Sequence, residues 1–591
     1  MVERGVLGPG FKKDIEFTDT KFFRQSRNCI NGLLSLIFSY YFHNPKHYFM
    51  KKILPILIIF LISCGQKYDT IITGGTIYDG TGGEPYIADI GIKADTIAFI
   101  GDIGYANADN KIDASGMAVS PGFINMLSWA NETLIIDGRG LGDLMQGVTL
   151  EVMGEGSSMG PLNDSMKAAS TARMVDYKYD IEWNTLGEYL DFMERKGIST
   201  NIASFVGNST IRQNVLGMNN VKATAEQLEQ MKSLIRQAME EGAVGVSSSL
   251  EYVPSMYSDT EELIEFAKVA ADYGGIYISH IRDEEAKLLD AVREIITIAR
   301  EANISAEIYH LKASGASNWD KLDSAIFLIE EARNSGISLT TDMYNYPASS
   351  TGLDIVLPNW AKEGGILKEI ERLSNPEMRR KIESEIDWNT PADRILLVGF
   401  RNENLRSLTG RYLSEVAAER GEEVSKVLCD LIVEDSSRIQ VVYFSMSEEN
   451  IRKKIALPYM SFCSDAGSMA PEGVFLKQST HPRAYGSFAR LLSNYVRDEN
   501  IISMEEAIRK LTLLPALNLR LSKRGALKEG YFADIVIFDP KTIDDLATFE
   551  NPHQLATGVK YVWVNGISVI NNGKHTGAMP GKAIRGPGYR N

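Results

Sequence analysis

The sequence predicts an α/β protein, a (β/α)8 TIM-like barrel carrying a small β-sandwich built from both ends of the chain. Three observations predict it. Eight apolar runs alternate with helical stretches that carry start and stop signals. The chain on either side of them is written in short strands and tight turns. Polar residues suited to metal or proton chemistry stand at the C-terminal ends of several runs, where barrels of this kind place their active sites.

From Tyr68 the segments YDTIITGGTIYDGTGG and ADIGIKADTIAFIGDI alternate apolar and polar residues between Gly and Asp turns, a hairpin pattern. The same texture returns in GYFADIVIFDP (530–540) and VKYVWVNGISVINNGK (559–574). Neither segment has enough strands to bury a core alone. The reading therefore joins 65–119 with 525–591 in one β-sandwich domain and leaves 120–524 to the barrel.

The eight runs are AVSPGFI (118–124), VTLEVMG (148–154), IASFVG (202–207), AVGVSSS (243–249), GIYISH (275–280), SAEIYH (305–310), ISLTTDMY (337–344) and PYMSFCSD (458–465). Strands this apolar suit a parallel sheet covered on both faces. One intervening helix is expected to open at the capping box Thr224-x-x-Gln227 and close near Gly242. Another is expected to open at Ser258-x-x-Glu261 and stop at Gly274-Gly275. The gap after the seventh run is too long for one helix. Residues at about 360–445, with charged helices and the runs RILLVGF and IQVVYF, read as an insertion above the barrel mouth.

A length of 591 residues, 44% of them apolar, and a net charge of −15 suit a large acidic enzyme with a substantial core. Lys and Arg are scattered, so nucleic acid is not an expected partner. The four cysteines, Cys29, Cys64, Cys429 and Cys463, have no CxxC spacing, and neither a disulfide framework nor a zinc ribbon is indicated.

Residues 50–64, MKKILPILIIFLISC, combine a short basic start with an apolar run too short to span a membrane, which reads as a secretory signal. The ending LISC resembles the bacterial lipobox, with Cys64 as the lipidated residue. Met50 is then the natural start, and 1–49, with His43 and His47, reads as an over-called upstream extension. The expected location is the cell envelope, periplasmic or outer-membrane associated, with a lipid anchor in a membrane.

His280 ends the fifth run in ISHIRDEE, His310 the sixth in IYHLKASG, and Asp465 the eighth in SFCSDAGS. A lone histidine at a strand end is more often structural. Two on adjacent strands, with an Asp closing the last, point instead to a divalent metal and a proton carrier. Glu155, between glycines in MGEGSSMGP, is the candidate third ligand. Cys463, two residues before Asp465, reads as a small buried residue or a pocket-lining thiol, since period two points both side chains one way.

Taken together, GVT…GEG, SHIRDE, HLK, DMYNYP, SDAGS, HPRAYGSFAR and GYFADIVIFDP…VWVNG resemble the N-acyl-D-amino-acid deacylases (D-aminoacylases) of the amidohydrolase superfamily, from Tyr68 to about Gly588. The resemblance implies metal ligands at His280 and His310, an acidic ligand at Glu155 and a catalytic base at Asp465. It implies substrate-carboxylate positions at Arg483, Lys312 and Tyr252, with Tyr344 and Ser350 as further candidates. His481 would be structural or would orient Arg483; His553 and His575 receive no role. The family's FIDxHxH is here FINMLSW, with Leu127 and Trp129 in place of two imidazoles. One metal per chain, zinc or another divalent ion, is therefore expected, with Trp129 at the pocket mouth or simply packed.

Three functions compete: a lipid-anchored hydrolase of N-acyl-D-amino acids, an amidohydrolase acting on a cyclic amide or unusual dipeptide, and an inactive barrel serving as a binding lipoprotein. The joint presence of Glu155, His280, His310 and Asp465 favours the first over the last. A binding module needs no metal cluster beside a placed base.

Overall fold

The computed structural model describes residues 67–590. The expected signal and lipidation site, Cys29 and the 1–49 extension lie outside the described residues. No helix among the described residues is long and apolar enough to cross a membrane.

Eight parallel strands form the barrel: β1 (Phe123–Asn125), β2 (Val148–Met153), β3 (Asn201–Ser204 and Val206–Gly207), β4 (Gly245–Ser249), β5 (Ile276–His280), β6 (Ala306–Ile308), β7 (Leu339–Met343) and β8 (Met460–Phe462). Strands β1 to β3 pair in chain order, and β3, β4, β5, β6, β7 and β8 continue the series. The seam between first and last strands closes just past their ends. Met126 N donates to Phe462 O at 3.2 Å, Asp465 N to Leu127 O at 2.9 Å and Trp129 N to Ala466 O at 2.9 Å. The strands are almost wholly buried, as their apolar runs require. Each fully buried Ile, Leu, Val or Phe stabilises the fold by roughly 1.5–3 kcal/mol.

The helix Ala225–Glu240 has the expected Thr224–Gln227 capping box. The next, Thr260–Asp272, is capped by Asp259 and not by Ser258. Ser258 Oγ is engaged elsewhere, donating to Glu262 Oε1 at 2.7 Å beside the buried Arg212–Glu262 pair. The Asp259 carboxylate, the better partner for a helix N-terminus, accepts from Glu262 N at 2.9 Å.

Both chain ends meet in a nine-stranded sheet, where Ile535–Phe538 lies antiparallel to Ala118–Pro121, the strand leading into β1. Ile72, Ile90, Val119, Ile535 and Trp563 share its core. Between β7 and β8 a three-stranded antiparallel sheet (Ser349–Gly352, Gln440–Tyr443, Ile395–Gly399) packs on its own helices. RILLVGF and IQVVYF are two of these strands, and the third begins earlier, at Ser349.

Candidate active site

Strand β2 ends at Met153, and Gly154 and Gly156 turn Glu155 inward with φ of 103° and 60°. A Cβ on Gly156 would stand 2.0 Å from Ser249 Oγ, so the tight Gly-Glu-Gly turn requires glycine there. His280 is the last residue of β5. His310 lies two residues past β6 at φ 33°, a conformation that costs a non-glycine residue about 1–3 kcal/mol. The buried Asp342 of β7 holds it there, accepting the His310 amide at 2.8 Å.

Three donor atoms converge. His280 Nδ1 lies 3.1 Å from His310 Nε2, and Glu155 Oε1 lies 2.9 Å from His310 Nε2 and 3.2 Å from His280 Nδ1. All three residues are buried. Ligands at about 2.0–2.2 Å in a tetrahedron stand roughly 3.3–3.6 Å apart, so a slight outward adjustment admits a divalent ion. Glu251, His280 and Glu284 form a second grouping, within 4.8 Å of one another. That set shares His280 and uses a carboxylate already paired with Lys312, so Glu155, His280 and His310 are the better donors.

The outward nitrogens of both rings face carboxylates, as those of metal-ligating histidines commonly do. Glu251 Oε2 lies 3.2 Å from His280 Nε2, a contact of charge without hydrogen-bond geometry. Glu284 Oε1 lies 3.1 Å from His310 Nδ1. Burial alone would strip His280 of charge, but Glu284, Glu155 and Glu251 override it and push the imidazole up to about 10. Burial likewise opposes ionisation of Glu155, yet His280 and His310 hold its carboxyl well below the usual range. The cluster is built to hold positive charge, as protons or as a metal ion.

Lys312 was expected at the substrate carboxylate. It lines the cavity, but its ammonium is paired with Glu284, 2.6 and 2.7 Å from the two carboxylate oxygens, with His310 Nδ1 2.8 Å away. It acts here as a buried counter-ion behind the cluster and not as a free cation.

Asp465 lies three residues past β8 at φ 48° and lines the same cavity of about 760 Å³ as the metal-ligand candidates. Its Oδ2 is 2.7 Å from Arg483 Nη1, and its Oδ1 accepts from the Trp129 indole at 3.0 Å. Arg483 is buried; its Nη2 donates to Ser350 O at 3.3 Å, while Nε and Nη1 have no partner of hydrogen-bond geometry. The guanidinium lies over the Tyr344 ring at 4.4 Å, and the Tyr344 hydroxyl is also without a partner. Buried donors of this kind are costly unless something satisfies them.

Tyr252 packs edge-on against His280, and its hydroxyl bonds Thr351 Oγ1 at 3.0 Å. Ser350 lines the cavity, but its hydroxyl serves the inserted sheet, donating to Val441 O at 2.8 Å. His481 is structural and close to Arg483, accepting the Arg483 amide on Nδ1 at 3.0 Å. Leu127 is sealed in the core, whereas Trp129 lines the cavity. Cys463 is fully buried and does not line the cavity, the first of its two expected readings. Sequence reasoning missed the supporting residues Glu251, Glu284 and Asp342. Glu284 and Asp342 lie within stretches already singled out, ISHIRDEE and DMYNYP, and Glu251 directly precedes Tyr252.

Residues 479–570 match the family described as Amidohydrolase family. A D-aminoacylase of Alcaligenes xylosoxydans xylosoxydans is 33% identical over 524 residues, 88% of this chain and 98% of that protein. The N-acyl-D-glutamate deacylase of Bordetella bronchiseptica, solved with zinc and a phosphonate inhibitor, superposes with a TM-score of 0.75 at 29% identity, covering 88% of this chain and all (100%) of that one. A D-aminoacylase solved to study its binuclear metal centre gives a TM-score of 0.74 at 30% identity, covering 87% of this chain and 99% of that one. With the barrel, the small domain and the convergent Glu–His–His set in place, the chain belongs to the D-aminoacylase family of amidohydrolases.

Proposed function

We propose that the chain is a metal-dependent hydrolase that cleaves the amide bond of N-acyl-D-amino acids, and that it uses one divalent ion. The observation that carries this reading is the shared cavity: a three-donor cluster, a carboxylate outside that cluster, and a buried guanidinium whose Nε has no partner. The D configuration is supported by the names of the relatives, and zinc by the Bordetella deacylase.

Glu155, His280 and His310 would hold the ion, which supplies Lewis acidity for the amide carbonyl and for water. Asp465 takes a proton from the attacking water and delivers it to the departing amine nitrogen, general base then general acid. Arg483 Nε and the Tyr344 hydroxyl are donors without a hydrogen-bond partner, and Nη1, ion-paired with Asp465, is within reach to turn toward a substrate carboxylate. Leu127 and Trp129 offer no ligand for a second ion.

A panel of N-acyl-D- against N-acyl-L-amino acids tests the substrate. Cleavage of the D series, lost in Asp465→Asn and with KM raised in Arg483→Met, is the expected result. Full activity in Asp465→Asn would overturn the mechanism. The lipid anchor at Cys64 is part of the same proposal and rests on the residues MKKILPILIIFLISC. Radiolabelled fatty acid that enters the wild type but not Cys64→Ala would support it, and equal labelling would exclude it.

A further inference from the structure

We infer that Trp129 is a positioning residue for Asp465, its indole N–H fixing one carboxylate oxygen so that the base keeps its place while Arg483 turns to the substrate. This inference rests on the role given to Asp465 above.

Asp465 sits beyond the last residue of β8, on backbone at φ 48°, with its side chain 11% exposed. No strand ladder orients its carboxylate. Two side-chain contacts do: Trp129 Nε1 on Oδ1 at 3.0 Å, and Arg483 Nη1 on Oδ2 at 2.7 Å. These contacts differ in kind. The guanidinium contact lacks hydrogen-bond geometry, and Arg483 is the group with donors to give to a substrate carboxylate. Each donor it turns toward substrate weakens its hold on Asp465. The indole has no such second claim, being a donor with no acceptor and no charge to share.

Backbone bonds place the indole. Trp129 N donates to Ala466 O, and Asp465 N donates to Leu127 O, each at 2.9 Å. The segment that carries the indole is thus stitched on both sides of Asp465 to the segment that carries the carboxylate. The bond also exposes a difference from the family pattern. An imidazole at position 129 would be a candidate metal ligand, whereas an indole N–H cannot ligate and can only donate. In this chain Asp465 is oriented by a hydrogen bond from an uncharged donor at a position where the family pattern has an imidazole.

The test is Trp129→Phe in the metal-loaded full chain. The residue is 39% exposed, so the change keeps an aromatic ring and removes the N–H without opening the core. The expected result is a fall in kcat of about 10- to 100-fold, the scale on which misplacement of a catalytic group acts. KM for an N-acyl-D-amino acid and metal content should be unchanged. A second measurement needs no substrate. In 15N-indole spectra the Trp129 N–H resonance is identified by its loss in Trp129→Phe, and it should shift upfield in Asp465→Ala. An unchanged kcat in Trp129→Phe, or an indole resonance indifferent to Asp465→Ala, would overturn the inference. A wild type that cleaves no N-acyl-D-amino acid would overturn the substrate reading instead, and the resonance would still decide the contact.

Discussion

Glu284 and Lys312 form a buried ion pair in which one ammonium lies 2.6 and 2.7 Å from the two oxygens of one carboxylate. Both face His310, Lys312 at 2.8 Å and Glu284 at 3.1 Å from Nδ1. The pair therefore fixes the ring whose other nitrogen enters the donor cluster. Its energetics set the first expectation.

Glu284→Gln removes the anion and leaves the Lys312 cation buried without its partner. Breaking such a pair from one side costs about 3–5 kcal/mol, so the variant should melt well below the wild type. Glu284→Gln/Lys312→Met removes both charges and should recover much of that loss. Thermal unfolding of the two variants checks this; equal melting temperatures would show that the unpaired cation is not the cause.

Glu251→Gln should behave differently. Its side chain is 23% exposed and faces His280 from behind, so folding should change little. Metal affinity should fall by about 10- to 100-fold, the usual effect of losing a carboxylate behind a ligating imidazole. Competition with a fluorescent chelator reads this directly.

Metal stoichiometry follows from the donor set. The wild type should retain one divalent ion per chain after gel filtration, even from excess zinc, and His280→Ala should retain none. Elemental analysis decides it. Two ions per wild-type chain would mean that ligands other than residues 127 and 129 complete a second site.

Glu307, in β6, makes stability depend on pH. Burial, then the charge of Asp342, pushes its carboxyl up to about 8, against bonds from Thr340, Ser461 and Asn518. The folded form thus holds a proton that the unfolded chain releases near its ordinary value of 4.5. The stability linked to that proton is present below the unfolded value and is lost as pH rises toward about 8. Glu307→Gln should flatten the decline in melting temperature between those limits. Parallel slopes in the two proteins would refute the assignment.

The barrel and the convergent Glu–His–His set were legible in sequence because parallel strands advertise themselves as apolar runs and end at their polar residues. His280, His310 and Glu155 were found by that rule. What it could not supply was the turn geometry just past the strands. His310 and Asp465 stand in left-handed backbone, so where their side chains point does not follow from strand alternation. Nor could it pair charges across loops: Glu251 and Lys312 are 61 positions apart by their numbers, and only the fold places both behind the histidines. The commitment of Lys312 to Glu284 was hidden for the same reason.

The inserted sheet has a further consequence. The barrel provides Glu155, His280, His310 and Asp465, while Ile355, Arg438, Gln440 and Tyr443 of the opposite wall belong to a unit with a separate hydrophobic interior. The cavity is thus lined by two bodies of sequence that fold around different cores. On the proposed function, exchange of residues 349–443 between relatives is a route to new acyl or side-chain tolerance that leaves Glu155, His280, His310 and Asp465 untouched.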